Sequence, residues 1–179
     1  MMIYTKTYDA PPVDRREILR YAGVRGDAPE IEAILDECIK ESEDKLTYKL
    51  CYVEFPVSFF DSVDSKDLKK HLEGCDKVIL FAATVGIGID RLVARYASVS
   101  PTKSLLFQAI GAERIEALCD EFNSDFVGSR FSPGYGDLPL EFQKEIFKVL
   151  DCPKRIGLTL NESMLMSPTK SVTAIIGVK

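Results

Sequence analysis

Helical and strand-like segments interleave irregularly along the 179 residues, which predicts an α+β domain with a partly antiparallel sheet. Three observations carry that prediction. Residues 77–85, KVILFAATV, are apolar on both faces, as a central buried strand would be. Residues from Ser100-Pro101 to about Phe122 keep apolar side chains on a helical stripe that includes Leu105, Leu106, Ala109 and Ile110. The tail, ESMLMSPTKSVTAIIGV, reads as two strands in a hairpin around a Ser-Pro-Thr-Lys turn. The length suits one domain over residues 1–179 with a real core.

The elements follow in order. Pro11 and Pro12 end an extended N-terminal segment, and Asp14 can cap a short helix, RREILRYA, closed by Gly23. A second helix opens near Pro29, where proline fits the first turn, with Ile31, Ile34, Leu35, Cys38 and Ile39 on one stripe. Residues 46–55, LTYKLCYVEF, alternate and are rich in aromatic and β-branched types, so they predict a strand. Residues 66–73 form a short charged helix before Gly74. After the 77–85 strand comes a helix carrying Leu92, Val93 and Tyr96. A helix over about 140–150 and a strand over 156–160 precede the tail.

Composition excludes several function classes. The formal net charge is −5, which argues against a nucleic-acid footprint, since phosphate contacts need clustered Lys and Arg. No apolar run is long enough to span a membrane, and the N-terminus lacks a signal-peptide core, so a cytoplasmic location is expected. The five cysteines are widely spaced with no C-x-x-C, as reduced, mostly buried thiols would be. The single histidine, His71, sits among charged neighbours and reads as a solvated helix position. With no second histidine, His-based metal sites and catalytic triads have little to build on.

Gly86-Ile87-Gly88 follows a buried strand, but Arg91 stands where a dinucleotide fingerprint needs its third glycine. A strand-to-helix turn with a small-residue contact is the better reading. Asp90 then favours the helix start through the dipole, with Arg91 and Arg95 solvated. On the long helix, Glu113 and Glu116 stand three apart, a spacing usual for a solvated face. Glu116 lies among apolar neighbours, so partial burial there would suit a cationic ligand group.

The stretch 130–139, RFSPGYGDLP, is different in kind. Gly134 and Gly136 flank Tyr135 and free the backbone on both sides. Arg130 offers a planar fork for a carboxylate, and Tyr135 a stacking face with a hydroxyl. Two readings fit: a wall for a zwitterionic ligand bearing an aromatic base, or a tight double turn that Arg130 holds through backbone carbonyls.

RFSPGYGDLP resembles the signature R-x-x-P-G-Y-P-A-C-P of the activation (reactivation) domain of cobalamin-dependent methionine synthase. The upstream helix QAIGAERIEALCDEF and the ending LTLNESMLMSPTKSVTAII, similar to K-L-T-E-S-x-x-M-x-P-x-x-S-V-S-G, extend the resemblance over about residues 75–178. The first part matches in outline. The resemblance implies a twisted, mainly antiparallel sheet with helices packed around it, and a shallow groove for S-adenosylmethionine. It implies docking on a cobalamin-binding methionine synthase core. There cob(II)alamin is reduced by flavodoxin or a similar donor and methylated from S-adenosylmethionine. Arg130 would face the ligand's carboxylate end, Pro133, Gly134, Tyr135 and Gly136 would form a backbone-lined wall, and Glu116, or Glu113 in another register, would meet the ammonium. No side chain would need to be an acid, base or nucleophile.

The chain departs from the family pattern at four places. Gly136-Asp137-Leu138 replaces Pro-Ala-Cys, Glu141 stands at a histidine position, Ile176 at a tyrosine position, and an N-terminal aspartate has no counterpart. The expectation is a free-standing reactivation subunit, because the similarity reaches the C-terminus and leaves no room for a cobalamin module. The alternative is a non-catalytic docking partner of a corrinoid protein, which an apolar groove would favour. An unrelated S-adenosylmethionine-dependent methyltransferase is disfavoured, since the Gly-rich turn and downstream acid of that class are missing.

Overall fold

The computed structural model describes residues 2–179. In chain order its elements are β1 (Tyr4–Tyr8), α1 (Arg15–Tyr21), α2 (Pro29–Ser42), β2 (Tyr48–Pro56), α3 (Lys66–His71), β3 (Lys77–Thr84), α4 (Gly88–Tyr96), α5 (Pro101–Asn123), β4 (Arg130–Phe131), α6 (Gln143–Leu150), α7 (Cys152–Ile156), β5 (Thr159–Leu160), β6 (Met166–Ser167) and β7 (Ser171–Val178). Short 3-10 turns lie at Val57–Phe60 and Leu140–Phe142. The main sheet runs β1-β2-β3-β7-β4, and every neighbouring pair is antiparallel. The fold is α+β, as expected. Among the described residues no helix is long and apolar enough to cross a membrane.

Helices cover both faces of the sheet, and this explains the non-alternating strand sequences. On β3, Ile79, Phe81 and Ala83 join Leu35, Phe107 and Phe122 of α2 and α5 in one core. Val78, Leu80 and Ala82 join Leu68, Ile146 and Leu150 of α3 and α6 in the other. β7 divides likewise, with Ala174 and Ile176 on the first face and Ile175 on the second. Successive side chains point to opposite faces, so a strand buried twice must be apolar at every position.

Local signals place most helix starts. The Asp14 carboxylate accepts the Arg16 and Glu17 N–H groups at 3.0 and 3.1 Å. Ser100 caps α5, and Pro101 fills its first turn. Gly88 opens α4 against the connection between α2 and β2, where a Cβ would run into the Lys45 carbonyl oxygen. The small-residue turn is therefore the correct reading of Gly86-Ile87-Gly88. Asp90 does more than favour the helix start: its carboxylate accepts the Thr169 N–H at 3.0 Å and bonds the Thr169 hydroxyl.

Four expectations are corrected. The tail is no hairpin: β6 pairs with β5 in a separate two-stranded sheet, while β7 enters the main sheet between β3 and β4. β7 needs ladder partners along its eight residues, which β3 supplies from Ser171 to Val178 and two-residue β6 could not. The 156–160 strand shrinks to Thr159–Leu160, because Cys152–Ile156 is helical with Pro153 in its first turn. His71 is half-buried against Phe131, their rings 5.1 Å apart, and Nε2 has no partner among the described residues. Leu105 is exposed beside the α5 stripe. The cysteines match expectation: all five are free thiols, four of them buried.

Candidate functional site

β4 pairs with β7 only at Ile175 and Ile176, so the outer edge of β7 from Ser171 to Thr173 has no strand partner. A cleft of about 460 Å³ occupies that gap. Its walls include Glu116 of α5, Arg130 of β4, Tyr135 of the following loop, Gln143 of α6, Met166 of β6 and Thr173 of β7. Five helices and strands and one loop thus converge on one edge of the sheet. The size lies within the roughly 300–1,000 Å³ usual for small-molecule pockets.

Arg130 is already engaged. One guanidinium nitrogen donates to Glu116 Oε2 and another to Asp120 Oδ1, each at 2.8 Å. The expectation that Arg130 holds backbone carbonyls is therefore replaced by a fork onto two carboxylates one helical turn apart. One cation against two anions leaves the mouth of the cleft with a formal charge of about −1. Asp120 is the looser partner, its side chain 72% exposed against 44% for Glu116. A second groove, of about 550 Å³, shares Glu116 with the first and is also lined by Asp120, Glu17 and Tyr21. Glu116 thus borders both grooves.

Glu113 has a different fate. It is buried, 4% exposed, against Arg114 at 2%. The Arg114 guanidinium also donates to the carbonyls of Pro11 (2.5 Å) and Pro12 (2.7 Å), and Glu113 accepts the Asp14 N–H at 3.0 Å. This pair anchors the N-terminal segment to α5. The solvated-face reading fails for Glu113, and Glu116 is the acid that reaches the cleft.

The 132–138 loop is held from inside by the Gly134 N–H to the Leu138 carbonyl (2.9 Å), the Tyr135 N–H to the Ser132 carbonyl (3.1 Å) and the Leu138 N–H to the Tyr135 carbonyl (3.1 Å). Gly136, at φ +53°, lies so close to the Asp67 carboxylate that a Cβ would collide with it. That contact lets Asp137 cap α3. Its carboxylate accepts the Lys66 N–H at 2.8 Å, the Asp67 N–H at 3.1 Å and the Ser65 hydroxyl. The Asp137 N–H returns a bond to Asp67 at 3.1 Å. The Ser65 hydroxyl first, then the backbone donors, hold the Asp137 carboxyl below the ordinary carboxylate range. The departure at Asp137 is thus a structural lock between the loop and α3.

Of the residues singled out by sequence, Glu116, Arg130 and Tyr135 meet in the cleft, and Tyr135 is 66% exposed there. Pro133, Gly134 and Gly136 shape the loop that carries Tyr135. Ile176 is fully buried in the core and pairs in register with Arg130. Sequence reasoning missed Gln143 and Thr173. Both are buried, at 6% and 2% exposure, and Gln143 Oε1 and Thr173 Oγ1 have no hydrogen-bond partner among the described residues. A buried polar group with no partner is unusual in a folded chain. A polar residue in the apolar run SVTAII was the one available signal for Thr173.

Comparison with known proteins fits this geometry. Residues 114–179 match the family model for the activation domain of vitamin B12 dependent methionine synthase. The chain is 33% identical over 96 residues to methionine synthase of Mycobacterium tuberculosis (strain ATCC 25618 / H37Rv), a stretch covering 51% of this chain and 8% of that protein. It is 30% identical over 96 residues to methionine synthase of Mycobacterium leprae (strain TN), with the same shares covered. The chain therefore spans only a small part of the curated relatives it matches. In fold it is similar to the crystal structure of a MetH reactivation domain bound to AdoHcy, with a TM-score of 0.68 and 15% identity, covering 99% of this chain and 78% of that one.

Proposed function

We propose that this chain, which belongs to the vitamin B12 dependent methionine synthase activation-domain family through residues 114–179, binds S-adenosylmethionine in the cleft at the β7 edge. In this reading it supports reductive methylation of cob(II)alamin carried by a cobalamin-binding methionine synthase core, with flavodoxin or a similar donor supplying the electron. The observation that carries the reading is the convergence of Glu116, Arg130 and Tyr135 on one cleft, all within the matched segment.

The walls fit such a ligand. Glu116 can pair with the ammonium of its amino-acid end. Arg130 can take its carboxylate by exchanging Asp120, the more exposed of its two partners. Tyr135 presents a free aromatic face for a purine. The net negative mouth suits a sulfonium cation. When bound, S-adenosylmethionine supplies the methyl group. The chain's own residues bind and orient it, and none has to move a proton. The charged walls also speak against the alternative of a docking partner without this ligand, which would favour an apolar groove.

Isothermal titration with S-adenosylmethionine, on wild type and Arg130→Ala, tests the reading. Saturable binding that is lost in the variant is the expected result. No binding to wild type, alone or with a cobalamin-loaded synthase core present, overturns it.

A further inference from the structure

The cleft has two chemically different ends. Glu116 and Arg130, the latter also paired with Asp120 outside the cleft, make one end charged and half-open to water. Gln143 and Thr173 make the other neutral and buried. The strand alternation puts Thr173 on the same face of β7 as Ile175, whose core contains Ile146 and Leu150 of α6. Gln143 opens that helix without a capping side chain before it. The wall between α6 and β7 thus carries two oxygens, Gln143 Oε1 and Thr173 Oγ1, that the protein itself leaves without partners.

An unpaired buried acceptor is satisfied only by a donor that arrives through the cleft. The donor must be neutral. A cationic ammonium would lose its hydration at this end, while Glu116 offers it a carboxylate at the other. A primary amino group on an aromatic ring meets both demands, with two N–H donors and no charge. We propose that Gln143 and Thr173 are specificity-determining residues that receive the exocyclic amino group of the ligand's purine, so that the cleft selects an aminopurine over a 6-oxopurine. This rests on the reading of the cleft as an S-adenosylmethionine site. A 6-oxo group would set an acceptor against Gln143 Oε1 and leave it unpaired, and only the Thr173 hydroxyl could turn to donate to it. A site built to bond a donor rejects the analogue lacking it more strongly than an apolar pocket rejects a misfit.

The experiment is titration of the full chain with S-adenosylhomocysteine and with its deaminated counterpart S-inosylhomocysteine, on wild type, Gln143→Met and Thr173→Val. Wild type is expected to prefer the amino compound by about 10-fold or more, and each variant to reduce that ratio by about 3- to 10-fold. Ligand-free Thr173→Val is expected to melt at or above the wild-type temperature, because the hydroxyl it removes has no partner. Equal wild-type affinities, or a ratio unchanged in both variants, overturn the proposal while the ligand reading stands. A clear loss of melting temperature in Thr173→Val also overturns it, since the hydroxyl would then have a partner within the fold. If wild type binds neither compound, the ligand reading fails and this inference with it.

Discussion

Arg130 donates to the Glu116 carboxylate at 2.8 Å and so ties the two-residue edge strand β4 to the long helix α5. The contact joins residues 14 apart in sequence and sets the mouth of the cleft. It also bears on what a ligand must do there, because Asp120 already takes a second nitrogen of the guanidinium.

Asp120→Asn is expected to raise affinity for S-adenosylmethionine. The ligand carboxylate would no longer compete with an exposed ion pair worth about 0.2–1 kcal/mol, which corresponds to a gain of about 1.5- to 5-fold. Glu116→Gln is expected to weaken binding by removing the ammonium's partner. Calorimetric titration of both variants checks this, and weaker binding in Asp120→Asn would contradict carboxylate exchange at Arg130.

Asp137→Ala removes the carboxylate that accepts the Lys66 and Asp67 N–H groups at the start of α3, and with it the link to the loop, while Ser65 still caps the Leu68 N–H. The variant is expected to unfold at lower denaturant concentration at pH 7, with an unchanged denaturant slope. The pH dependence has a definite sign. The folded-state carboxyl is held below its ordinary value of 3.8, so its contribution is complete above that pH and fades as the pH falls through and below it. The gap between wild type and variant should therefore close in acid. A gap that persists at pH 2.5, in conditions where both still fold, would assign the effect to something other than the charged cap.

Glu113→Ala leaves the Arg114 guanidinium buried without its carboxylate. A loss of about 3–5 kcal/mol in unfolding free energy is expected. Replacing both, as Glu113→Leu with Arg114→Met, is expected to cost less than the single change, since no charge is then stranded. Chemical denaturation of the three proteins decides it. A double variant worse than the single one would mean that the bonds from Arg114 to the Pro11 and Pro12 carbonyls dominate.

Burial lowers the pKa of His71 from its ordinary 6.5, partly offset by the ring's hydrogen bond to the Ser129 backbone. A depressed folded-state value means the neutral form is favoured in the native protein. Its contribution is therefore complete above about 6.5 and is lost as pH falls below it. Melting temperature should decline between pH 7 and 5.5 in wild type and decline less in His71→Leu. Equal slopes in the two proteins would show that His71 does not carry the effect.

The stretch RFSPGYGDLP was legible as a site because its residue types are unusual together, and Arg130 and Tyr135 do line the cleft. Its glycines were legible as permissive backbone. Their purpose was hidden, because the contact that requires Gly136 comes from Asp67, at the start of α3. Glu113 and Glu116 look alike in sequence, three residues apart on one helix. Packing alone separates them: the N-terminal segment covers Glu113 and the β4 edge leaves Glu116 at the cleft.

The amino-acid sequence by itself determined the α+β class, the capped start of α1, the Ser100-Pro101 start of α5, the buried character of β3, and the motif that marks the cleft. These depend on spacing and chemistry within a turn or two of chain, where propensity, capping and periodicity act. Tertiary structure decided that β7 lies between β3 and β4 rather than folding back on β6. It also decided that Cys152–Ile156 turns helical, that Asp137 caps α3, and that Gln143 and Thr173 reach the cleft with unpaired oxygens. Each of these depends on which distant surface removes a group from water or supplies its hydrogen bond, and local spacing carries no record of that partner.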